Sequence, residues 1–485
     1  MKLADLVEYV SYSQVVGNLQ TPVNGITANS KQVTPQGAFV AIKGSQTDGH
    51  AYIEAAIQQG ASVIVCQQLP QSLHPDVTYL EVTDTNDALG NMAAAFYDYP
   101  SEKMIMVGVT GTNGKTTVAT LLYQLFRKLG HKVGLLSTVC NYIDDQPIAS
   151  THTTPDAVSL QALLAQMAAA GCRYAFMEVS SHAIDQKRIA GICFDGGIFT
   201  NLTRDHLDYH KSVQAYLQAK KQFFDQLPPH AFAITNLDDK NGKIMVQNTK
   251  ANVYSYSTNT MADFRGKILE ESMEGMLLQI NTKEVFTSLV GSYNAQNLLA
   301  VYGAAFLLHS QADELLRLIS TLKPVAGRLD TIYSSKGITA IVDYAHTPDA
   351  VANALATLKK IGKDGKIITV IGCGGNRDKG KRPQMAQLAY KNSSILILTS
   401  DNPRNEQPLD IINDMLGGLS EEEQNDVLCI ENREQAIKTA CKMAKSGDIV
   451  FVAGKGHENY EITKDGKHPF DEKGEVFKAI AKRNS

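Results

Sequence analysis

A short apolar strand that runs straight into a glycine-rich turn and a lysine constrains this chain more than any other feature. Residues 103–109 read KMIMVGV, and Thr110-Gly111-Thr112-Asn113-Gly114-Lys115-Thr116-Thr117 follows without a gap. Glycines let backbone N–H groups turn inward around phosphate oxygens, and the next helix points the positive end of its dipole at the same anion. Lys115 then neutralises the β- and γ-phosphates, and the Thr116 hydroxyl is placed for Mg2+. Val109 stands where the strict G-x-x-x-x-G-K-[ST] pattern has its first glycine. A glycine-rich turn with an incidental lysine is the competing interpretation, but it leaves GKTT at a strand-to-helix junction unexplained. An ATP site is expected, with Gly111, Thr112, Asn113, Gly114, Lys115, Thr116 and Thr117 around the phosphates.

The rest of the chain keeps the same rhythm. Residues 38–42 (AFVAI) and 62–66 (SVIVC) read as buried strands, and HAYIEAAIQQG between them has helical spacing and a closing glycine suited to a C-cap. A long helix is expected from the phosphate loop to about Gly130, then strands at VGLLS, YAFMEV, GGIFTN and AFAITN. The pattern breaks near Tyr99-Pro100-Ser101 and at Lys323-Pro324-Val325-Ala326-Gly327, and ITAIVDYA, KIITVIG, SILILTS and IVFVAG then resume it. Such alternation builds mostly parallel sheets covered by helices. At 485 residues the chain has room for about three domains. An α/β protein with domains at 1–100, 101–327 and 328–485 is expected.

Composition removes other classes. Apolar residues at 44% and charged residues at 20% leave no room for a long disordered tail or a fibrous repeat. A net charge of -4 argues against a broad nucleic-acid-binding face but permits a small basic pocket. Asp5 and Glu8 interrupt the early apolar stretch that a secretory signal needs intact, and no run reaches the ~18 apolar residues of a membrane span. Seven cysteines without a CxxC pair fit reduced thiols. A soluble cytoplasmic protein is expected.

Downstream of the phosphate loop stand Thr153-Thr154-Pro155, Glu178-Val179-Ser180-Ser181-His182 and Asn201-Leu202-Thr203-Arg204-Asp205-His206-Leu207-Asp208. Ala219-Lys220, Asn236-Leu237-Asp238-Asp239, Asn294-Ala295-Gln296-Asn297, Gly327-Arg328 and Asp343-Tyr344-Ala345-His346 follow. In this order, with TGTNGKTT, they resemble the Mur ligase family of ATP-dependent amide-forming enzymes. Ser30, Gly37-Ala38-Phe39-Val40-Ala41 and Asp48-Gly49-His50 extend the resemblance to the N-terminal hundred residues, in the branch that adds the third residue of the peptidoglycan stem peptide. The resemblance implies a small N-terminal α/β domain binding the UDP end of the substrate, a central P-loop ATPase-type domain with a parallel sheet, and a C-terminal Rossmann-like domain that reads the amino acid. It also implies a monomer.

By that resemblance a carboxylate is activated as an acyl phosphate, and an amine displaces the phosphate through a tetrahedral intermediate. Two anions must meet, so their charge must be cancelled. The resemblance gives catalytic roles to Lys115, Glu178, His206 and Lys220, and puts Thr116, Glu178, His206 and Lys220 on Mg2+. It implies a CO2-derived carbamate on Lys220; only a neutral amine reacts with CO2, so a depressed pKa would help. Asn294, Asn297, Arg328 and Asp343 match ATP contacts, with Asn236 and Asp239 nearby. Ala28, Ser30, Ser45, Gln46, Thr47, Thr153, Thr154, Ser180, Gln186, Arg188 and Lys220 match contacts to UDP-N-acetylmuramoyl-L-alanyl-D-glutamate, although Asn29 and Lys31 flank Ser30 where Asp and Arg are usual.

Asp401-Asn402-Pro403-Arg404 follows the strand SILILTS, at the carboxyl end of a sheet where α/β folds bind ligands. In the family this motif accompanies meso-diaminopimelate, and lysine-adding members lack the arginine. The two amino acids differ by one distal carboxylate, for which Arg404 offers a bidentate cation. Arg377 is expected at the other end of the amino acid, with Gly454 and Glu458 also in its site. Three other readings share parts of the pattern: a lysine-adding member, folylpolyglutamate synthase, and a regulatory P-loop NTPase. The run Glu421-Glu422-Glu423 reads as a solvated helix start.

Overall fold

The computed structural model describes residues 1–44, 47–149, 153–362 and 365–484. Its strands fall into three successive α/β sheets and a small hairpin. In the first sheet the strands lie in the order Tyr12–Val16, Thr78–Val82, Ala61–Cys66, Gly37–Val40 and Ile26–Thr27. All pairings there are parallel except that of the first two strands. Helix Thr85–Phe96 covers one face, and its start is set by the Asp84 carboxylate accepting from Asn86 N and Asp87 N.

The second sheet carries the phosphate loop. Its parallel centre runs Asn252–Ser257, Phe232–Asn236, Gly196–Phe199, Ile105–Thr110, Tyr174–Glu178 and Val133–Leu136. Side chains alternate across a strand, so Val107 and Val109 join the core under helices Lys115–Lys128 and Ser292–His309. Met106 joins the opposite layer with residues of helices Ala157–Ala169 and Val213–Asp225. Both edges depart from the parallel expectation: Asn141–Ile143 and Gln146–Ile148 add antiparallel beyond Val133–Leu136, and at the other edge Phe264–Ser272, Gly275–Ile280 and Lys283–Thr287 form an antiparallel meander. In Phe264–Ser272 and Lys283–Thr287, charged outward positions dilute the apolar runs that mark buried parallel strands.

In the third sheet Asp330–Tyr333 pairs antiparallel with Thr339–Asp343, and Ile449–Ala453, Ile367–Ile371, Ile395–Leu398 and Leu428–Cys429 continue in parallel. The hairpin Tyr460–Thr463 and Gly466–Pro469 forms a separate two-stranded sheet, bridged to the rest of the third domain at Arg404–Thr463. Two local expectations shift. HAYIEAAIQQG divides into a 3-10 turn Gly49–Tyr52 and helix Ile53–Gln58, and the strand in ITAIVDYA stops at Asp343. The acidic run is the first turn of helix Glu421–Asn425, with Ser420 and Glu423 in a capping box. Among the described residues no helix is long and apolar enough to cross a membrane, and the seven cysteines are free.

Candidate active site

Strand Ile105–Thr110 ends in the turn 111–114, and helix Lys115–Lys128 begins at once. Val109 belongs to the strand, paired with Glu178 on one side and Ile198 on the other, so this position takes a core side chain rather than a turn glycine. Gly111, at φ +152°, would set a Cβ 1.9 Å from Thr200 Oγ1; Gly114, at φ +88°, would set one 2.5 Å from Asn297 Oδ1. Neither position accepts a side chain. Lys115 Nζ folds back to donate to Gly111 O at 3.0 Å and Thr112 O at 2.8 Å, and burial lowers its pKa.

A cavity of about 390 Å³ opens between this loop and the C-terminal domain. Thr112, Asn113, Gly114, Lys115, Thr116, Thr117, Thr153, Glu178, His206 and Asn297 line it from one side, and Arg328 and Asp343 from the other. Arg328 Nη2 donates to Thr116 Oγ1 at 3.2 Å, and its guanidinium lies 4.6 Å from the Tyr344 ring centre. Asp343 is buried and accepts from Leu329 N and Ala345 N, both at 2.7 Å, so it shapes the turn that carries Arg328; burial raises its pKa. Asn294 does not line the cavity, but its Oδ1 accepts from Asn297 Nδ2 at 3.1 Å. Asn236 and Asp239 brace the wall through Thr200 O and Leu202 N.

Glu178 is buried at a strand end, and its carboxylate accepts from Thr138 N at 2.7 Å and Thr138 Oγ1 at 3.2 Å. His206 adopts φ +54°, with its N–H donated to Asp205 Oδ1 at 2.9 Å. Partial burial of its ring lowers the imidazole pKa to about 3, so the ring is neutral near pH 7 and keeps a lone pair for a metal. Among the described residues no group of three His, Cys, Asp or Glu side chains forms a metal site. The expected Mg2+ donors draw instead on the Thr116 hydroxyl and on Lys220.

Lys220 lies behind the phosphate loop and does not line the cavity. Its Nζ donates to Gly111 O at 2.8 Å and lies 4.7 Å from the Tyr216 ring centre. Burial, reinforced by the positive charge of Lys115, holds its pKa well below that of an ordinary lysine. Lys221 is paired with Asp225 at 2.6 Å.

The residues expected on the nucleotide-dipeptide divide in two. Thr154, Ser180, Gln186 and Arg188 form a cluster beside Glu178: Arg188 donates to Thr154 O at 3.0 Å and to Gln186 Oε1, and Thr154 Oγ1 donates to Glu178 O at 3.0 Å. In the first domain Ala28 and Thr47 are exposed, and Ser30 opens the turn Ser30–Gln32, capped by the Asn29 side chain. Ser45 and Gln46 lie outside the described residues.

In the third domain Arg404 has a left-handed backbone, φ +53°, and its Nη1 donates to Gly375 O at 2.9 Å and Asn402 O at 3.3 Å. It makes no ion pair among the described residues. Asn402 Nδ2 donates to Glu458 Oε2 at 2.8 Å, and Tyr344 OH donates to Glu458 Oε1 at 3.2 Å; burial raises the Glu458 pKa. Pro403 is buried and Gly454 follows strand Ile449–Ala453. Asp401 is turned inward, its carboxylate 3.5 Å from Lys455 Nζ. Arg377 is exposed and lies 3.7 Å from Asp208 of the middle domain.

The sequence reading assigned no role to Asp205. This buried carboxylate lies 3.7 Å from both His346 Nε2 and Lys381 Nζ of the C-terminal domain, beside an Arg204–Asp378 pair at 2.9 Å. Its one linear signal is its place before His206 in TRDHLD; its partners are visible only in three dimensions.

Three family patterns match the chain. They are the Mur ligase family catalytic domain over residues 22–97, the Mur ligase middle domain over 109–305, and the Mur ligase glutamate ligase domain over 327–456. The UDP-N-acetylmuramoyl-L-alanyl-D-glutamate–2,6-diaminopimelate ligase of Phocaeicola vulgatus is 57% identical over 482 residues, covering 99% of each chain. A solved structure of an enzyme with that same name superposes with a TM-score of 0.69 at 30% identity, over 100% of this chain and 99% of the other. The MurF ligase of Thermotoga maritima in complex with ADP shares the fold, with a TM-score of 0.63 at 18% identity over 96% of this chain and 99% of the other.

Proposed function

The chain belongs to the Mur ligase family, and on that premise we propose that it joins meso-diaminopimelate to UDP-N-acetylmuramoyl-L-alanyl-D-glutamate at the expense of ATP. A carboxylate oxygen of the dipeptide attacks the γ-phosphorus and ADP departs. The amine adds to the acyl carbon, and the tetrahedral intermediate expels inorganic phosphate and loses a proton. Lys115 and Arg328 face the transferring group from opposite sides of the cavity and spread its charge. Asn297 packs against Gly114 and limits the loop's movement.

Thr116, Glu178 and His206 are the side chains that would hold Mg2+: a hydroxyl, a carboxylate with lone pairs to spare, and a neutral imidazole, all lining one cavity. Bound there, the ion supplies the charge cancellation that lets the two anions approach. Lys220 suits a carbamate, because burial lowers its pKa and so favours the neutral amine that reacts with CO2. That modification puts an anion behind the phosphate loop in place of a neutral amine.

The N-terminal set around Ser30, with Thr153, Thr154, Ser180, Gln186 and Arg188, is assigned to the UDP-linked dipeptide. Arg377, Asn402, Arg404 and Glu458 are assigned to the amino acid. Domain limits at 1–100, 101–327 and 328–485 suit these three tasks. One chain completes the cavity, which suits a monomer, and a nucleotide-linked substrate suits a cytoplasmic enzyme.

The single observation that carries the choice of amino acid is the Arg404 guanidinium, bonded to two carbonyl oxygens and to no carboxylate. A lysine substrate would leave that cation uncompensated, whereas the distal carboxylate of diaminopimelate pairs with it. The test supplies the protein with ATP, Mg2+ and the nucleotide dipeptide, then adds meso-diaminopimelate or L-lysine, and follows phosphate release and product mass. The expected result is tripeptide formation that requires diaminopimelate; equal use of lysine, or phosphate release without an amide product, overturns it.

A further inference from the structure

Lys455 is fully buried in the C-terminal domain, and the reaction described above gives it no task. A buried ammonium persists only with its donors satisfied and its charge compensated. Lys455 Nζ donates to Asn402 Oδ1 and Tyr460 O, both at 2.9 Å, and lies 3.5 Å from Asp401 Oδ1. The ring of Phe470 closes over it at 5.8 Å.

These contacts converge on one side-chain amide. Asn402 Oδ1 receives two donors, Lys455 Nζ and Ile462 N, the latter at 2.9 Å. A flipped amide would point its NH2 group at two donors, so the orientation is fixed. The Asn402 NH2 group is thereby aimed at Glu458 Oε2, 2.8 Å away. The same anchor ties in Arg404, whose N donates to Ile462 O at 2.9 Å and whose Nη1 donates to Asn402 O at 3.3 Å. Strand Tyr460–Thr463 is thus pinned between Lys455 and the loop that carries Arg404. The left-handed φ of +53° at Arg404 needs such support.

We propose that Lys455 is a positioning residue for amino-acid selection: it locks the Asn402 amide and the strand beside it, so that Glu458 and Arg404 meet the distal ammonium and carboxylate of diaminopimelate at fixed positions. This rests on the assignment of the loop 401–404 to the incoming amino acid. Lys455 touches no substrate in this scheme; it acts through Asn402 and Tyr460.

The test uses the full-length enzyme with Lys455→Met, which keeps the volume and removes the donors, and Lys455→Gln, which keeps an N–H donor for Asn402. The expected result for Lys455→Met is a KM for meso-diaminopimelate raised about tenfold or more, with a fall in the preference over L-lysine, because the site's buried polar groups lose their register. The KM values for ATP and for the nucleotide dipeptide stay within about twofold of wild type, since those sites lie elsewhere. Lys455→Gln falls between the two and carries the same comparison if Lys455→Met gives no folded protein. Unchanged selectivity in either folded variant, or a rise in all three KM values together, overturns the inference. A wild-type enzyme that makes no tripeptide defeats the functional assignment instead, so the two failures are distinguishable.

Discussion

Arg328 reaches from the start of the C-terminal domain to the Thr116 hydroxyl at the head of the phosphate-loop helix, 3.2 Å away. That hydrogen bond joins the two walls of the cavity, as does a longer one from Asn113 Nδ2 to Asp349 Oδ2 at 3.4 Å. Arg328 Nε is buried without a partner among the described residues, and such a group has donor capacity for an incoming anion. The Tyr344 face holds the guanidinium plane in place.

Arg328→Lys keeps the charge but loses the planar fork and the stacking on Tyr344. The expected outcome is a fall in kcat of about a hundredfold to a thousandfold, the range seen when one charge-stabilising donor is lost, with a smaller change in KM for the nucleotide dipeptide. Steady-state kinetics with each substrate varied in turn checks this; a kcat within twofold of wild type would count against the role.

Lys220→Ala removes the side chain that the reaction scheme carbamylates, and takes a hydrogen bond from Gly111 O. Turnover should fall by about two orders of magnitude or more, the scale of losing a group that acts in the transition state, while the folded protein still binds ATP. A small carboxylate added to the assay should restore part of the rate. Turnover at the wild-type rate in Lys220→Ala, without any such addition, would sink the carbamate assignment.

For Arg404→Ala, a lost ion pair within a desolvated site costs about 2–5 kcal/mol. Use of meso-diaminopimelate should weaken accordingly while ATP binding is held, because Arg404 contacts none of the residues that line the phosphate loop. Isothermal titration of the two ligands separates these effects; equal weakening of both indicates a general loss of structure.

His457 is half-buried beside Tyr344 and Arg328, its buried Nδ1 has no partner among the described residues, and desolvation lowers its pKa from 6.5 to about 3. The unfolded chain takes up a proton at this site below pH 6.5 that the folded chain refuses, so stability is full above pH 6.5 and is lost as the pH falls toward 3. His457→Asn removes that linkage. Denaturant midpoints of wild type and variant should diverge in the variant's favour between pH 7 and pH 5, relative to their difference at pH 7. A difference that does not change with pH would refute the assignment.

The phosphate loop was legible because its parts are consecutive. Strand, glycines, lysine and helix are one covalent segment, and local sterics at Gly111 and Gly114 leave few alternatives. The parallel sheets were legible for a related reason, since strands covered on both faces must be apolar throughout, as in KIITVIG or IVFVAG. The meander 264–287 escaped because edge strands with a charged face give no such run. The family segments marked which loops matter, yet they did not show that Lys220 sits behind the phosphate loop rather than in the cavity, or that Asp401 turns inward to Lys455.

Taken alone, the sequence determined the α/β alternation, the anion-binding turn and the order of the chemical segments, because each depends on residues within one or two turns of chain. The tertiary structure decided which side chains share a field: Asp205 with His346 and Lys381, Arg328 with Thr116, and Lys455 with Asn402 and Tyr460. Charge and hydrogen bonding act over a few ångströms of space irrespective of separation along the chain. Asp205 and Arg328 meet their partners only where the second and third domains adjoin, and Lys455 meets its own where the loops of the third domain converge.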